Sequence, residues 1–149
     1  MFKKSQWLTL YLAISFNSFA AEGLINVLSQ HSFEDTANKL EDVLRDNGMK
    51  VFSRVPHSND ALKTGIELPS TELIIFGNPK VGSKLMQCAQ TVAIDLPLKA
   101  LVWQDKDDKV WISYNDPEYL KKRHTMEGCD MQLKNVSGAL NKLTAAAAN

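Results

Sequence analysis

The stretch from Ser70 to Met86, STELIIFGNPKVGSKLM, constrains the fold most. Four large apolar residues, Leu73, Ile74, Ile75 and Phe76, run together and stop at Gly77-Asn78-Pro79. A continuous apolar run of this kind reads as a strand covered on both faces. The Gly-Asn-Pro stop ends the strand sharply and sets polar groups at its end. A helix is predicted beyond it, with Ser83 as the N-cap of Lys84 to Gln90 and Leu85, Met86 and Ala89 inward. This corner is the first place to look for a site.

The N-terminus reads as a secretory signal peptide. Lys3 and Lys4 form a short positive region, Trp7 to Phe16 is mostly apolar, and Ser18-Phe19-Ala20 is a small-x-small cleavage site. A membrane anchor or a buried first helix is the competing reading, but the apolar segment is too short to span a bilayer. No cysteine follows the site, which argues against a lipid anchor. The expected product is periplasmic or secreted, without an integral membrane segment after cleavage. Removing residues 1–20 from 149 leaves 129, enough for one domain with its own core. The removed segment holds two lysines and no acid, leaving 15 basic against 17 acidic residues. Such an interspersed, nearly neutral surface lacks the basic footprint of a nucleic-acid binder.

Taken in order, Gly23 to Gln30 reads as a first strand. Ser32 caps a helix carrying Phe33, Ala37, Leu40 and Leu44 at helical spacing, and Asn47-Gly48 ends it. Met49 to Val55 is a second strand, with Val51, Ser53 and Val55 on one face and Phe52 and Arg54 on the other. His57 to Leu68 reads as a short helix capped by Ser58 or Asn59. Val92 to Leu96 is apolar. Leu98–Gln104 and Val110–Tyr114 flank a polar loop of hairpin length. Asp116-Pro117 starts a helix to about His124, with Asp as cap and Pro first. Leu133, Val136, Leu140 and Leu143 mark a C-terminal helix, whose Ala-rich end is expected to fray from about residue 144. Strands with a tight late hairpin point to α+β with a largely antiparallel sheet and helices on one face.

Three runs carry a family resemblance: Pro69–Met86, Ile94–Asp105 (IDLPLKALVWQD) and Val110–His124 (VWISYNDPEYLKKRH). They occur in order and resemble the domain-of-unknown-function family 302. The resemblance extends from Leu24 to about Leu143. It implies a compact α+β domain with a curved antiparallel sheet, similar to the TATA-binding-protein-like fold. It transfers no mechanism, because the family has no established activity. Members of that family commonly lack a signal peptide, so an exported version with two cysteines is a departure.

Several constellations can carry chemistry. Gly77 to Lys84 nearly matches a phosphate-binding loop, but Ser83 precedes Lys84 where the motif needs lysine first, and Pro79 removes a backbone N–H. A weaker anion site, with Lys80 and Lys84 beside a helix start, competes with a plain turn bearing two solvated lysines. His31, His57 and His124 lack metal-ligand spacing, and no metal site is predicted. His57 follows Pro56 at a strand end and is a candidate acid or base. Glu72 and Asp95 sit in apolar company and need partners; Arg54 and Lys99 are the structural candidates. The candidate site is thus His57, Glu72, Asn78, Lys80, Asp95 and Lys99, with an acid–base cluster weighed against structural ion pairs. No serine sits in a nucleophile elbow.

Trp103, Trp111 and Tyr114 lie on the hairpin strands, and some must point away from the helix-covered face. That favours a homodimer through the sheet or a ligand groove. Cys88 and Cys129 are the two cysteines, and an oxidising compartment favours their pairing as a disulfide. The reading that follows is a non-catalytic exported binding domain, a homodimer holding a small ligand between sheet and helices. The alternatives are an enzyme using a His/carboxylate cluster and a periplasmic metal-binding protein; the sequence identifies no cofactor.

Overall fold

The computed structural model of the protein describes residues 21–149. The expected signal peptide lies outside the described residues.

Five strands form one sheet in the order β1-β5-β4-β3-β2. They are β1 (Leu24–Leu28), β2 (Lys50–Val55), β3 (Thr71–Gly77), β4 (Leu98–Gln104) and β5 (Val110–Asn115). Every neighbouring pair is antiparallel. The apolar run is the middle of β3, which lies between β2 and β4. The predicted hairpin is present, with Trp103 opposite Trp111 and Ala100 opposite Tyr114.

Alternation along the strands builds the core. Ile74, Phe76, Ala100, Val102, Val110, Ile112 and Tyr114 are buried on one face. Two long helices cover that face. α1 (Phe33–Asp46) contributes Ala37, Leu40 and Leu44. Its Ser32 cap accepts a hydrogen bond from the Asp35 N–H, and Gly48 takes φ 74 just beyond its end. A left-handed residue there suits glycine. α5, the last helix (Asp130–Ala148), contributes Leu133, Val136, Leu140 and Leu143. Between them in sequence run α2 (His57–Leu62), α3 (Pro79–Cys88), a 3-10 turn at Gln90–Asp95, and α4 (Pro117–His124). The α+β architecture is therefore as expected.

Four local expectations need correction. α3 begins at Pro79, not after Ser83, because Asn78 is its cap: Asn78 Oδ1 accepts from the Lys80 N–H at 3.0 Å, and Pro79 opens the helix. α2 ends at Leu62 rather than Leu68, and neither Ser58 nor Asn59 caps it. Ser58 Oγ instead bonds the Thr71 N–H at the start of β3. In β2 a bulge at Phe52 shifts the register, so Val51 pairs with Phe76 while Ser53 pairs with Ile75. Val51 and Ser53 consequently sit on opposite faces. The Ala-rich end, expected to be frayed, is helical in the structure: α5 continues to Ala148, with Thr144, Ala147 and Ala148 buried. The Gln30 N–H donates to the Ala148 carbonyl at 2.8 Å, tying that end to the chain beyond β1. Alanine is the best helix former and its small side chain lets the helix sit close to its neighbours.

Candidate functional site

The corner at Gly77-Asn78-Pro79 does border a cavity. About 400 Å³ of open space lies between the end of β3, α3, the segment Ala93–Leu98 and α5. Phe76, Leu85, Leu96, Leu98, Val136 and Leu140 form much of its wall, with Ala139 and Leu143 from α5. No titratable side chain lines it. Its polar edges are Asn78, Ser83 and Asn135. Phe52, Val81 and Met86 also border it and are exposed, so apolar surface continues to the mouth. A strand followed at once by a helix creates this corner: Pro79 turns the chain, and Gly82 keeps α3 thin where it passes Leu96.

The predicted acid–base cluster is not assembled. Glu72 lines a separate polar cleft with Arg54, Pro56, Ser58 and Asn59. Its carboxylate is held by Arg54, Nε to Oε1 at 2.7 Å and Nη2 to Oε2 at 2.8 Å. Arg54 Nη1 also reaches Asn38 Oδ1 at 2.9 Å and Glu41 Oε2 at 3.0 Å. Hydrogen bonding to Glu72 raises the Arg54 pKa further above its ordinary range. Glu41 is held below the usual carboxylate range, first by Arg45 and then by Arg54. This is the structural pairing that the sequence allowed for Glu72.

Asp95 lies elsewhere. Its Oδ2 is 2.5 Å from His124 Nε2, and Arg123 Nη1 stands 3.4 Å from its Oδ1. Lys99 does not pair with that carboxylate; its Nζ donates to the backbone carbonyls of Asp95 and Pro97. His57 is exposed at the start of α2. Lys80 is exposed on α3. Of the six candidate residues, Asn78 lines the apolar cavity, Glu72 lines the polar cleft, and His57, Lys80, Asp95 and Lys99 line neither. Two charged groups flanking buried strands were each satisfied locally, which is the usual outcome for a carboxylate in apolar surroundings. The histidine that does find a carboxylate, His124, is 29 residues from it. Sequence spacing carried no signal for that contact.

The near-match to a phosphate loop is closed as well. Pro79 to Lys84 are helical, and the N–H groups of Val81 and Gly82 both donate to the Asn78 carbonyl. Among the described residues, no group of three or more His, Cys, Asp or Glu side chains converges as metal ligands would.

Cys88, at the end of α3, and Cys129, just before α5, are joined in a disulfide, with their Cα atoms 6.2 Å apart. The bond fixes α3 against α5, the two helices that wall the cavity. On the opposite face of the sheet, Trp103 and Trp111 stack with ring centres 6.4 Å apart. Trp103 Nε1–H donates to Ser113 Oγ at 2.7 Å, and Ser113 Oγ lies 2.6 Å from Asn26 Oδ1. Tyr114 points the other way, into the core, where burial raises its pKa.

Comparison with known proteins gives the chain its relatives. A protein of Brucella suis biovar 1 (strain 1330) named fluoride-specific ion channel FluC 1 is 45% identical over 109 residues, covering 73% of this chain and 43% of that protein. A FluC 1 of Brucella abortus biovar 1 and a FluC 2 of Brucella melitensis biotype 1 match at the same identity, with 40% of each covered. The chain thus spans about two fifths of the length of these relatives. A crystal structure of an uncharacterized conserved protein DUF302 from Bacillus stearothermophilus superposes with a TM-score of 0.69. It is 20% identical, and the match covers 86% of this chain and 97% of that one, a likeness of fold. The family described as "Domain of unknown function DUF302" matches residues 25–146, nearly the whole described chain, and the protein belongs to that family.

Proposed function

We propose that the protein is an exported, non-catalytic binding domain that holds a small apolar ligand between the β3–α3 corner and α5. One observation carries this reading: a cavity of about 400 Å³ with an apolar wall, no titratable lining group and a few polar groups at its edge. Ligand pockets commonly measure about 300–1,000 Å³ and combine an apolar wall with a few polar groups. An enzyme would need acid or base groups facing the bound molecule, and the candidates face other partners. The signal-peptide pattern supports export, and the Cys88–Cys129 bond suits an oxidising compartment.

The same reading includes a homodimer formed through the open face of the sheet. Leu73, Ile75, Leu101, Trp103 and Trp111 are half-buried there, and Leu28 is exposed. Aromatic and aliphatic surface of this kind gains by being covered. The channel activity in the names of the Brucella relatives is left with those proteins. The match covers less than half of each, and among the described residues no helix is long and apolar enough to cross a membrane.

Native mass spectrometry of protein recovered from the exported fraction tests all three parts. A mature chain lacking residues 1–20, a dimer mass, and a copurified small apolar molecule are expected. An intact N-terminus refutes export, a monomer at micromolar concentration refutes the dimer, and failure to bind any apolar fluorescent probe refutes the pocket reading.

A further inference from the structure

We propose that Thr91 is a nucleophile, with His124 as its general base, and that it accepts an acyl group from an activated ester or thioester. The three residues concerned, Thr91, Asp95 and His124, are not among those lining the apolar cavity, so the proposal stands without the pocket reading. His124 Nδ1 lies 3.0 Å from Thr91 Oγ1, and its Nε2 lies 2.5 Å from Asp95 Oδ2. Hydroxyl, imidazole and carboxylate are thus connected through one ring. A carboxylate only accepts, so in the neutral imidazole Nε2 carries the proton and Nδ1 offers its lone pair to the hydroxyl. These are the roles of the hydroxyl–histidine–carboxylate triads, which are recognised by geometry and not by order along a chain. The ring is turned over relative to the serine-protease arrangement, with the carboxylate at Nε2 and the hydroxyl at Nδ1.

Burial suits those roles. The side chains of Asp95 and His124 are largely buried, whereas Thr91 is exposed and open to an incoming molecule. The helical threonines Thr36 and Thr144 donate their hydroxyls to the carbonyl four residues back. The Thr91 hydroxyl faces the imidazole instead. Thr91 and Asp95 share the 3-10 turn at Gln90–Asp95, and His124 ends α4. The Cys88–Cys129 bond ties the chain just before that turn to the chain just after α4, which holds the two pieces in place for reaction. Ile94, three residues beyond Thr91, is largely exposed, and side chains at that spacing eclipse in a 3-10 helix. It offers apolar surface to a short acyl chain. In the reaction, Thr91 Oγ1 attacks the acyl carbon while its proton passes to His124 Nδ1, and Asp95 stabilises the imidazolium. The Oγ1–C bond forms, the bond from that carbon to the leaving oxygen or sulfur breaks, and the proton leaves Nδ1 with the departing alcohol or thiol. The product is an acyl ester of Thr91, and no oxidant or reductant takes part.

Treatment of the oxidised protein with p-nitrophenyl butyrate tests the assignment. Fast release of nitrophenol is expected, with a butyryl group mapped by peptide mass spectrometry to Thr91. Hydroxylamine should remove that ester while leaving any lysine amides intact. Thr91→Val, an isosteric change at an exposed position, should slow the fast release by about a hundredfold or more, and Thr91→Ser should restore it. His124→Gln, checked by circular dichroism to be folded, should lose the fast release as Thr91→Val does. If that variant does not fold, the Val and Ser variants and the mapped site decide. Label confined to lysines, nitrophenol release from Thr91→Val equal to the parent's, or a folded His124→Gln variant that still acylates Thr91 at the parent's rate overturns the proposal.

Discussion

Asp95 Oδ2 lies 2.5 Å from His124 Nε2, and the imidazole's other nitrogen lies 3.0 Å from Thr91 Oγ1. A carboxylate only accepts, so Nε2 carries the donated proton. The contact joins the 3-10 turn at Gln90–Asp95 to the last residue of α4. The His124 side chain is 6% exposed and that of Asp95 11%, so water does little to replace either partner. His124→Ala is expected to destabilise the fold by about 1–3 kcal/mol, the cost of leaving a buried acceptor short of its donor. Asp95→Asn should cost less, because its amide oxygen still accepts. Denaturant unfolding of the two variants measures the difference, and equal stability to the parent would make the contact incidental.

The β4–β5 turn is organised by Asp105. Its Oδ1 accepts from the N–H groups of Asp107 and Lys109, each at 2.9 Å, and its Oδ2 accepts from Trp111 Nε1 at 2.8 Å. The Trp111 indole, ahead of the backbone donors, holds this carboxyl below its ordinary value of 3.8. A depressed carboxylate binds fewer protons folded than unfolded. Its stabilisation is complete above the ordinary value and is lost as pH falls from there through the folded value. Tryptophan fluorescence should therefore change on acidification below about pH 4 before global unfolding. Asp105→Asn should flatten that early change, since the amide has no proton to take up there. An identical acid profile in the variant would detach the hairpin from Asp105.

Much of the fold was legible because local chemistry and tertiary need agree. Asp116-Pro117 caps and opens α4, Ser32 caps α1, and the Leu98–Gln104 and Val110–Tyr114 runs pair as a hairpin. The site was less legible. Asn78 was visible as a strand stop, yet its role as the cap of α3 depends on whether helix or loop follows, and Ser83 offered an equally good local signal. The bulge at Phe52 has no sequence mark and reverses the faces that strict alternation assigns. Arg54 could be matched with Glu72 because both flank apolar strands, whereas Asp95 and His124 meet only through the packing of a short turn on a distant helix. The far wall of the cavity, supplied by α5, could not be assigned from the strand that first drew attention to the corner.

The disulfide closes a segment of 41 residues between α3 and α5. Constraining the unfolded chain over that length stabilises by about 3–4 kcal/mol in the loop-entropy account. Cys88→Ser with Cys129→Ala is expected to lower the unfolding free energy by that order. Reduction of the parent should bring it close to the double variant. Thiol titration of the denatured, unreduced protein should find no free thiol. Two free thiols per chain would refute the pairing in solution, and one would indicate an intermolecular bridge.

Ala139 faces the cavity from α5, between the lining residues Val136 and Leu143. A larger apolar side chain there has empty space to enter, unlike an ordinary core position where extra methylenes cost about 1–3 kcal/mol. Ala139→Leu also retains good helix propensity. The variant is expected to unfold at the parent's temperature or slightly above it, because the added side chain is buried against Phe76, Leu85 and Leu140 rather than exposed. Its affinity for an apolar dye should fall by about tenfold or more, since each lost methylene contact in a filled pocket carries about 0.8 kcal/mol. Calorimetric unfolding and dye titration on the same preparation separate the two effects. A stable variant that still binds the dye at full strength would show that the dye sits elsewhere, with the open face of the sheet around Trp103 and Trp111 the next surface to examine.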